Sequence, residues 1–173
     1  MRHKFGLERR KNFAKKHGIG KIDYATVKIP FAGRVICCKC GKAYGRKVWN
    51  PADERLRREI WRCNSKCSVK GKKGCESRHI DEHVLYQAFI NAFNAVVENR
   101  EKYIRKWESD PSEGNVLKRV TAKRFIQIFA KAKPIDQFDV DLYFKLVEKI
   151  TVYNEGILFV SLLDGSEIEF EIE

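Results

Sequence analysis

Apolar and polar positions change rhythm several times along the chain. Over residues 24–36, YATVKIPFAGRVI, they alternate loosely around Pro30 and Gly33, which suits short strands. From Ile80 the period lengthens. Leu85, Phe89, Ala92, Val96 and Tyr103 recur at helical spacing with no Pro or Gly between them, predicting one long helix over 80–107. Asp110, Pro111 and Gly114 end it. NVLKRVTAKRFIQIFAKAK predicts a second helix over 115–132, with Leu117, Thr121, Phe125 and Ile128 on one side and Pro134 after it. Two such helices can fold back as a helical hairpin. Asp139 is placed to cap a third helix over 139–149. Residues 150–172 then read as strands, with turns at Asn154-Glu155-Gly156 and Asp164-Gly165. In the last strand Ile168, Phe170 and Ile172 face one way and Glu167, Glu169 and Glu171 the other. The expected class is α+β: a small ribbon, long helices, and a C-terminal antiparallel hairpin or meander.

Charge divides the chain in two. Residues 1–82 hold 23 Lys and Arg against 8 Asp and Glu, whereas residues 83–173 hold 12 against 15. A cationic half that meets a polyanion and a second half with another task fit this division. The first 20 residues are basic and end in HGIGK, whose glycines break a helix, so residues 1–23 read as an arm and linker and residues 24–173 as one domain. The longest apolar run, ILFVSLL at 157–163, is far too short for a bilayer, and the N-terminus has no apolar signal core. A cytoplasmic chain with reduced thiols is expected, with no membrane partner.

All six cysteines fall between 37 and 75. Cys37-x-x-Cys40 followed by Gly41 has the form of a knuckle, a tight turn that aims two thiolates at one metal. The second pair comes from Cys63, Cys67 and Cys75. Spacing favours Cys63 with Cys75, which ties a hairpin to a helix start. Cys63 with Cys67 is the rival pairing, and His79 and His83, four positions apart, are rival ligands beside Cys75. Cys38 points away from a knuckle's metal and reads as packing. A closed four-thiolate site leaves no position for substrate, so the metal would be one structural zinc. Around these cysteines, residues 42–73 carry Lys42, Arg46, Lys47, Arg55, Arg57, Arg58, Arg62, Lys66, Lys70, Lys72 and Lys73 against Asp53, Glu54 and Glu59. Those eleven cations are the candidate contacts to that polyanion, with Tyr44 and Trp49 candidates equally for packing on its sugars and for ribbon core, and Trp61 as core.

IPFAGRVICCKCGKAYGRK, WRCNS and GCESRHIDEHVLYQAF together resemble the zinc β-ribbon domain of the large serine recombinases. The pattern is carried by Phe31, Gly33, Cys37, Cys40, Gly41, Trp61, Cys63, Cys75, Ile80 and Glu82. FDVDLYFKLVEKITVYNEGILFVSLLDGSEIEF is similar to that family's C-terminal helix and hairpin, and LERRKNF at 7–13 resembles the end of its recombinase domain. The resemblance spans roughly 25–172, more weakly in the middle. It implies Cys37, Cys40, Cys63 and Cys75 as zinc ligands, and double-stranded attachment-site DNA as partner. It also implies a bacterial, phage or mobile-element origin. The family's catalytic serine motif has no counterpart here, so the expectation is a C-terminal piece that binds DNA and does no chemistry alone. The family's long coiled-coil hairpin, used between synapsed subunits, has only about 75 residues available between Cys75 and Ile150. A zinc-braced module for protein–protein contact, bridging subunits through Leu85, Phe89, Ala92 and Val96, is the alternative. A nuclease is disfavoured, because no His-Asn or paired-acid constellation accompanies the cysteines.

Overall fold

The computed structural model describes residues 27–67, 74–109, 115–154 and 156–172, without the side chain of Cys67. Arm residues 1–23 and the cations Lys70, Lys72 and Lys73 lie outside them. The described residues form strands β1 (Val35–Cys37), β2 (Tyr44–Trp49), β3 (Arg58–Cys63) and β4 (Ile80–Asp81). Helices α1 (Glu82–Glu98), α2 (Arg100–Ser109), α3 (Val116–Phe129) and α4 (Val140–Leu146) follow, then β5 (Val147–Val152), β6 (Ile157–Leu162) and β7 (Glu167–Glu171). The class is α+β.

Two sheets organise the strands. β2, β3 and β4 form an antiparallel ribbon. The other sheet has the order β1-β5-β6-β7, and its β1–β5 pair is parallel, with Val35 opposite Ile150 and Cys37 opposite Val152. The strand that leads into the first cysteines is therefore an edge of the C-terminal sheet. Ribbon and tail are one folded unit, joined across more than a hundred residues of chain.

Aromatic side chains fill the space between them. Phe31, fully buried, meets Trp61 of the ribbon edge-on at 6.0 Å and Tyr143 of α4 at 5.1 Å. A second cluster joins the helices: Phe93 of α1, Trp107 of α2, and Phe125 and Phe129 of α3. Asn94 of α1 clamps the segment after α3 by accepting from Ile135 N at 2.8 Å and donating to Ile135 O at 2.9 Å.

Three boundaries differ from the periodic reading. The helix expected over 80–107 is two, because Asn99 turns its side chain back to donate to Ala95 O at 2.9 Å and leaves helical geometry at φ −99, ψ 27. A short amide that satisfies a backbone carbonyl competes with helix continuation. The face expected on the second helix is rotated. Phe125 and Phe129 are buried in α3, while Leu117 is 76% exposed. The third helix stops at Leu146 rather than 149, since Val147, Ile150 and Val152 bury one side of a strand. Asp139 Oδ1 caps α4 by accepting from Asp141 N and Leu142 N at 2.8 and 2.9 Å.

The turn between β6 and β7 is pinned to α2. Gly165 takes φ +84, which a side chain would strain. Asp164, with a nearly buried carboxylate, accepts from Trp107 Nε1 at 2.7 Å, Ser166 Oγ at 2.6 Å and Ser166 N at 3.0 Å. Burial alone would raise its pKa, but these donors outweigh that and hold the carboxyl below its ordinary value.

Candidate metal centre and nucleic-acid face

The chain reverses after β1 through a turn in which Gly41 N donates to Cys37 O at 2.9 Å and Cys37 N to Lys42 O at 3.0 Å. Gly41 sits at φ +66, the left-handed geometry such a turn needs. This brings Cys37 and Cys40 to one side. β3 delivers Cys63 alongside them, since Tyr44 and Cys63 are register partners in the ribbon. Cys75 arrives after the excursion that follows β3, with its N–H bound to Ser65 O at 3.1 Å. Gly74 makes that approach feasible: a Cβ there would stand 2.3 Å from Ser65 O and 2.4 Å from Lys66 O.

The Sγ atoms of Cys37, Cys40, Cys63 and Cys75 all lie within 4.8 Å of one another. Cys37 to Cys75 is 3.7 Å and Cys40 to Cys63 is 3.3 Å. Disulfides need about 2.05 Å, so these are separate thiols. Four sulfurs around zinc at about 2.3 Å would be about 3.8 Å apart, and the observed spread brackets that edge length. Backbone N–H groups of Lys39 and Cys40 are aimed at the Cys37 sulfur, that of Ser65 at Cys63, and that of Ser77 at Cys75. Such donors stabilise thiolates held by a metal. Burial raises the Cys37 thiol and pushes Cys63 up to about 12, while the buried Ser77 hydroxyl lowers Cys75 to about 6. Protons and a metal therefore compete for the buried sulfurs. The donor set, four thiols with no oxygen ligand, fits a soft tetrahedral ion.

The other sulfur and imidazole candidates are placed differently. Cys38 is exposed, and its N–H donates to Val152 O at 3.1 Å. His79 and His83 do not share a helix: His79 precedes β4 and His83 lies in the first turn of α1. Among the described residues, the four cysteines form the one group of three or more side chains able to hold an ion.

The ribbon has two unlike faces. Tyr44, Arg46, Val48, Glu59, Trp61 and Cys63 lie on the inner side, as cross-strand register requires, and Tyr44 is buried core there, its hydroxyl donating to Arg78 O at 3.0 Å, rather than a surface for sugars. Gly45, Lys47, Trp49, Arg58, Ile60 and Arg62 lie on the outer side, where Ile60 opposite Lys47 is buried and the cations and Trp49 flank it. Arg46, though exposed, is thereby turned toward the start of α1, where it donates to Glu82 at 2.5 and 3.1 Å and stands 3.8 Å from Glu59. Glu82 also accepts from Trp61 Nε1 at 2.9 Å and Tyr86 OH at 3.1 Å. Burial opposes its charge, but the Arg46 and Trp61 donors hold its carboxyl below the ordinary range.

On the outer side Trp49, 41% exposed, stacks on His79 with ring centroids 5.4 Å apart and planes at 21°. Arg58 pairs with Asp81 at 3.2 Å, Arg55 with Asp53 at 3.3 Å, and Lys66 Nζ donates to Ser77 O at 3.0 Å. Lys42, Lys47, Arg57 and Arg62 have no ion-pair partner among the described residues. Sequence reasoning treated the eleven cations as equivalent, because a partner such as Glu82, 36 positions away, leaves no local signal. It likewise missed the place of His79 beside Trp49.

Comparison with known proteins bears on this arrangement. The family model of the recombinase zinc beta ribbon domain matches residues 30–94. The matched stretch contains the whole ribbon and all four clustered cysteines. The fold is similar to a chain in the crystal structure of an LSR–DNA complex, a large serine recombinase bound to DNA, with TM-score 0.52 and 13% identity. The similarity covers 82% of this chain and 57% of that one, so this chain spans little more than half of the recombinase. No curated protein matches the chain. The resemblance to large serine recombinases read from the sequence is borne out by the ribbon's family and by the fold. Among the described residues, no helix is long and apolar enough to cross a membrane.

Proposed function

We propose that residues 24–173 are a DNA-binding domain of a site-specific serine recombinase that holds half of a duplex attachment site, with one structural zinc on Cys37, Cys40, Cys63 and Cys75. The observation that carries this reading is the division of the ribbon. Its inner face closes on the four sulfurs and the aromatic core, while its outer face presents the unpaired Lys47 and Arg62 near an exposed Trp49, with Arg58 held by Asp81. The zinc ties β1, the turn after it and β3 to the segment that leads into β4, so it fixes a cationic surface that a short ribbon could not hold alone. Unpaired cations on a rigid frame bind phosphate with little ordering entropy lost. Arg46, committed to Glu82, positions the ribbon on α1 rather than reaching for DNA. Catalysis belongs to another part of the recombinase, and the setting is the cytoplasm of a bacterial or phage host.

A second reading, subunit bridging, cannot run through Leu85, Phe89, Ala92 and Val96, which are buried in the core, but is favoured by one other observation. Val116, Leu117 and Val120 of α3 are 63, 76 and 48% exposed, an apolar stripe at the end of the helical pair α2–α3. Bridging adds to DNA binding rather than replacing it. The test is a gel shift of the chain on duplex DNA, with zinc measured in the same sample. We expect one zinc per chain and a shift that is lost on chelation. Zinc-loaded protein that leaves duplex DNA unshifted at low salt would refute the DNA-binding reading.

A further inference from the structure

β7 is the last strand of its sheet, and its outer edge has no neighbouring strand among the described residues. Leu162 N donates to Ser166 O at 2.8 Å and Ile172 N to Gly156 O at 2.7 Å. Antiparallel bonding alternates every second residue, so Ser166, Ile168, Phe170 and Ile172 direct their main-chain groups at β6. The N–H and C=O groups of Glu167, Glu169 and Glu171 then face outward. Beside this edge runs α1, and the two enclose a groove of about 660 Å³. One wall is the row His83, Gln87, Asn91 and Ala95, spaced four apart and hence aligned along the helix. The floor is apolar, from half-buried Ile168, Phe170 and Ile172. The rim carries the exposed Glu169 and Glu171, and exposed Glu167 continues the row along β7 beyond the groove.

We propose that this groove takes an extended segment of a partner protein, with apolar and basic residues in alternation, as a further strand on β7. Main-chain bonds to Glu167, Glu169 and Glu171 would supply the pairing. Side chains alternate across a strand, so every second residue of the guest enters the groove over Phe170, and those between lie beside the carboxylates. Charge selects the guest. Two β7 edges brought together would oppose glutamates to glutamates, which disfavours a second copy. Phosphate is repelled by the same row, so this surface is separate from the cationic ribbon face. The inference stands independently of zinc and DNA binding.

The probe is a labelled peptide of alternating lysine and valine, about nine residues long, which runs past β7 at about 3.3 Å per residue. The intact, metal-loaded chain is titrated by fluorescence anisotropy, with an alternating glutamate–valine peptide as control. We expect saturable binding of the lysine peptide only, weakened at least about tenfold by Glu169→Lys. Glu169→Pro removes an N–H that points away from β6 and so spares the sheet; it should abolish binding while the melting curve is kept. Hydrogen exchange should slow at the amides of Glu167, Glu169 and Glu171 when peptide is added. Absent binding, equal affinity for Glu169→Lys, or protection elsewhere would overturn the proposal. Protection of the same three amides at high protein concentration with no peptide would assign the edge to a second copy and overturn it too.

Discussion

Glu82→Ala should be the most damaging single change outside the cysteines, and its cost can be built from its contacts. The carboxylate accepts two bonds from Arg46, one from Trp61 and one from Tyr86. Trp61 is 1% exposed, so its indole N–H loses a partner that water cannot replace, at about 1–3 kcal/mol. The Arg46 side chain is 33% exposed, and solvent screening limits that pair to about 1 kcal/mol. The Tyr86 hydroxyl is half-buried and reaches water at little cost. The sum is about 2–4 kcal/mol, or roughly a 4–16 °C drop in melting temperature for a domain of this size. Glu82→Gln keeps acceptors for Trp61 and Tyr86 and loses the charge, so it should cost about 1 kcal/mol. The sign with pH follows from the lowered carboxyl pKa. Its stabilisation is present above the ordinary glutamate value and lost as pH falls through the depressed one. The gap between the native chain and Glu82→Gln should therefore close below about pH 4. Differential scanning calorimetry on metal-loaded protein measures both effects. A melting temperature for Glu82→Ala within a degree or two of the parent would refute the reasoning.

Three other outcomes follow from the same geometry. Cys63→Ser should lose bound zinc and the ribbon fold, because it gives up part of about 10–16 kcal/mol of binding energy, whereas Cys38→Ser should keep both; metal analysis and circular dichroism decide this. Gly74→Ala should weaken zinc retention against a chelator, since its Cβ meets backbone oxygens at 2.3 and 2.4 Å and pushes Cys75 away; retention equal to the parent would show that the turn gives way freely. Asp164→Asn should destabilise by about 1–3 kcal/mol at neutral pH and by progressively less in acid, as a lowered carboxylate pKa requires; denaturant melts across pH read this.

What was legible in the sequence was local. The knuckle, the Asp-Gly turn and the alternating final strand each declare themselves within a few residues. The parallel pairing of β1 with β5 does not, because nothing near Val35 records that Ile150 will lie beside it. Periodicity carried α1 correctly through Val96 but could not see that Asn99 prefers its own carbonyl bond to another helical turn. It misplaced the face of α3 for a related reason. Leu117 and Phe125 are both apolar, and only the position of Trp107 decides that Phe125 and Phe129 are the ones that pack. The site divides in the same way. Cys37 and Cys40 are visible as a pair, whereas the meeting of Cys63 with Cys75 depends on Gly74 passing close under Ser65 and Lys66. Charge counting found the cationic half, but not which cations were already committed to Asp53, Asp81 or Glu82.

The salt dependence of duplex binding tests the central claim most directly. Lys47 and Arg62 lie on the outer ribbon face without ion-pair partners among the described residues. Each phosphate contact steepens the log–log dependence of affinity on salt by about 0.9, so replacing both by alanine should flatten the slope by up to about 2 while zinc content stays unchanged. Arg46→Ala, on the inner face, should lower stability and leave the slope as it was. A slope unchanged by the Lys47 and Arg62 replacements, in protein that still holds its zinc and its fold, would contradict the assignment of the outer ribbon face to DNA.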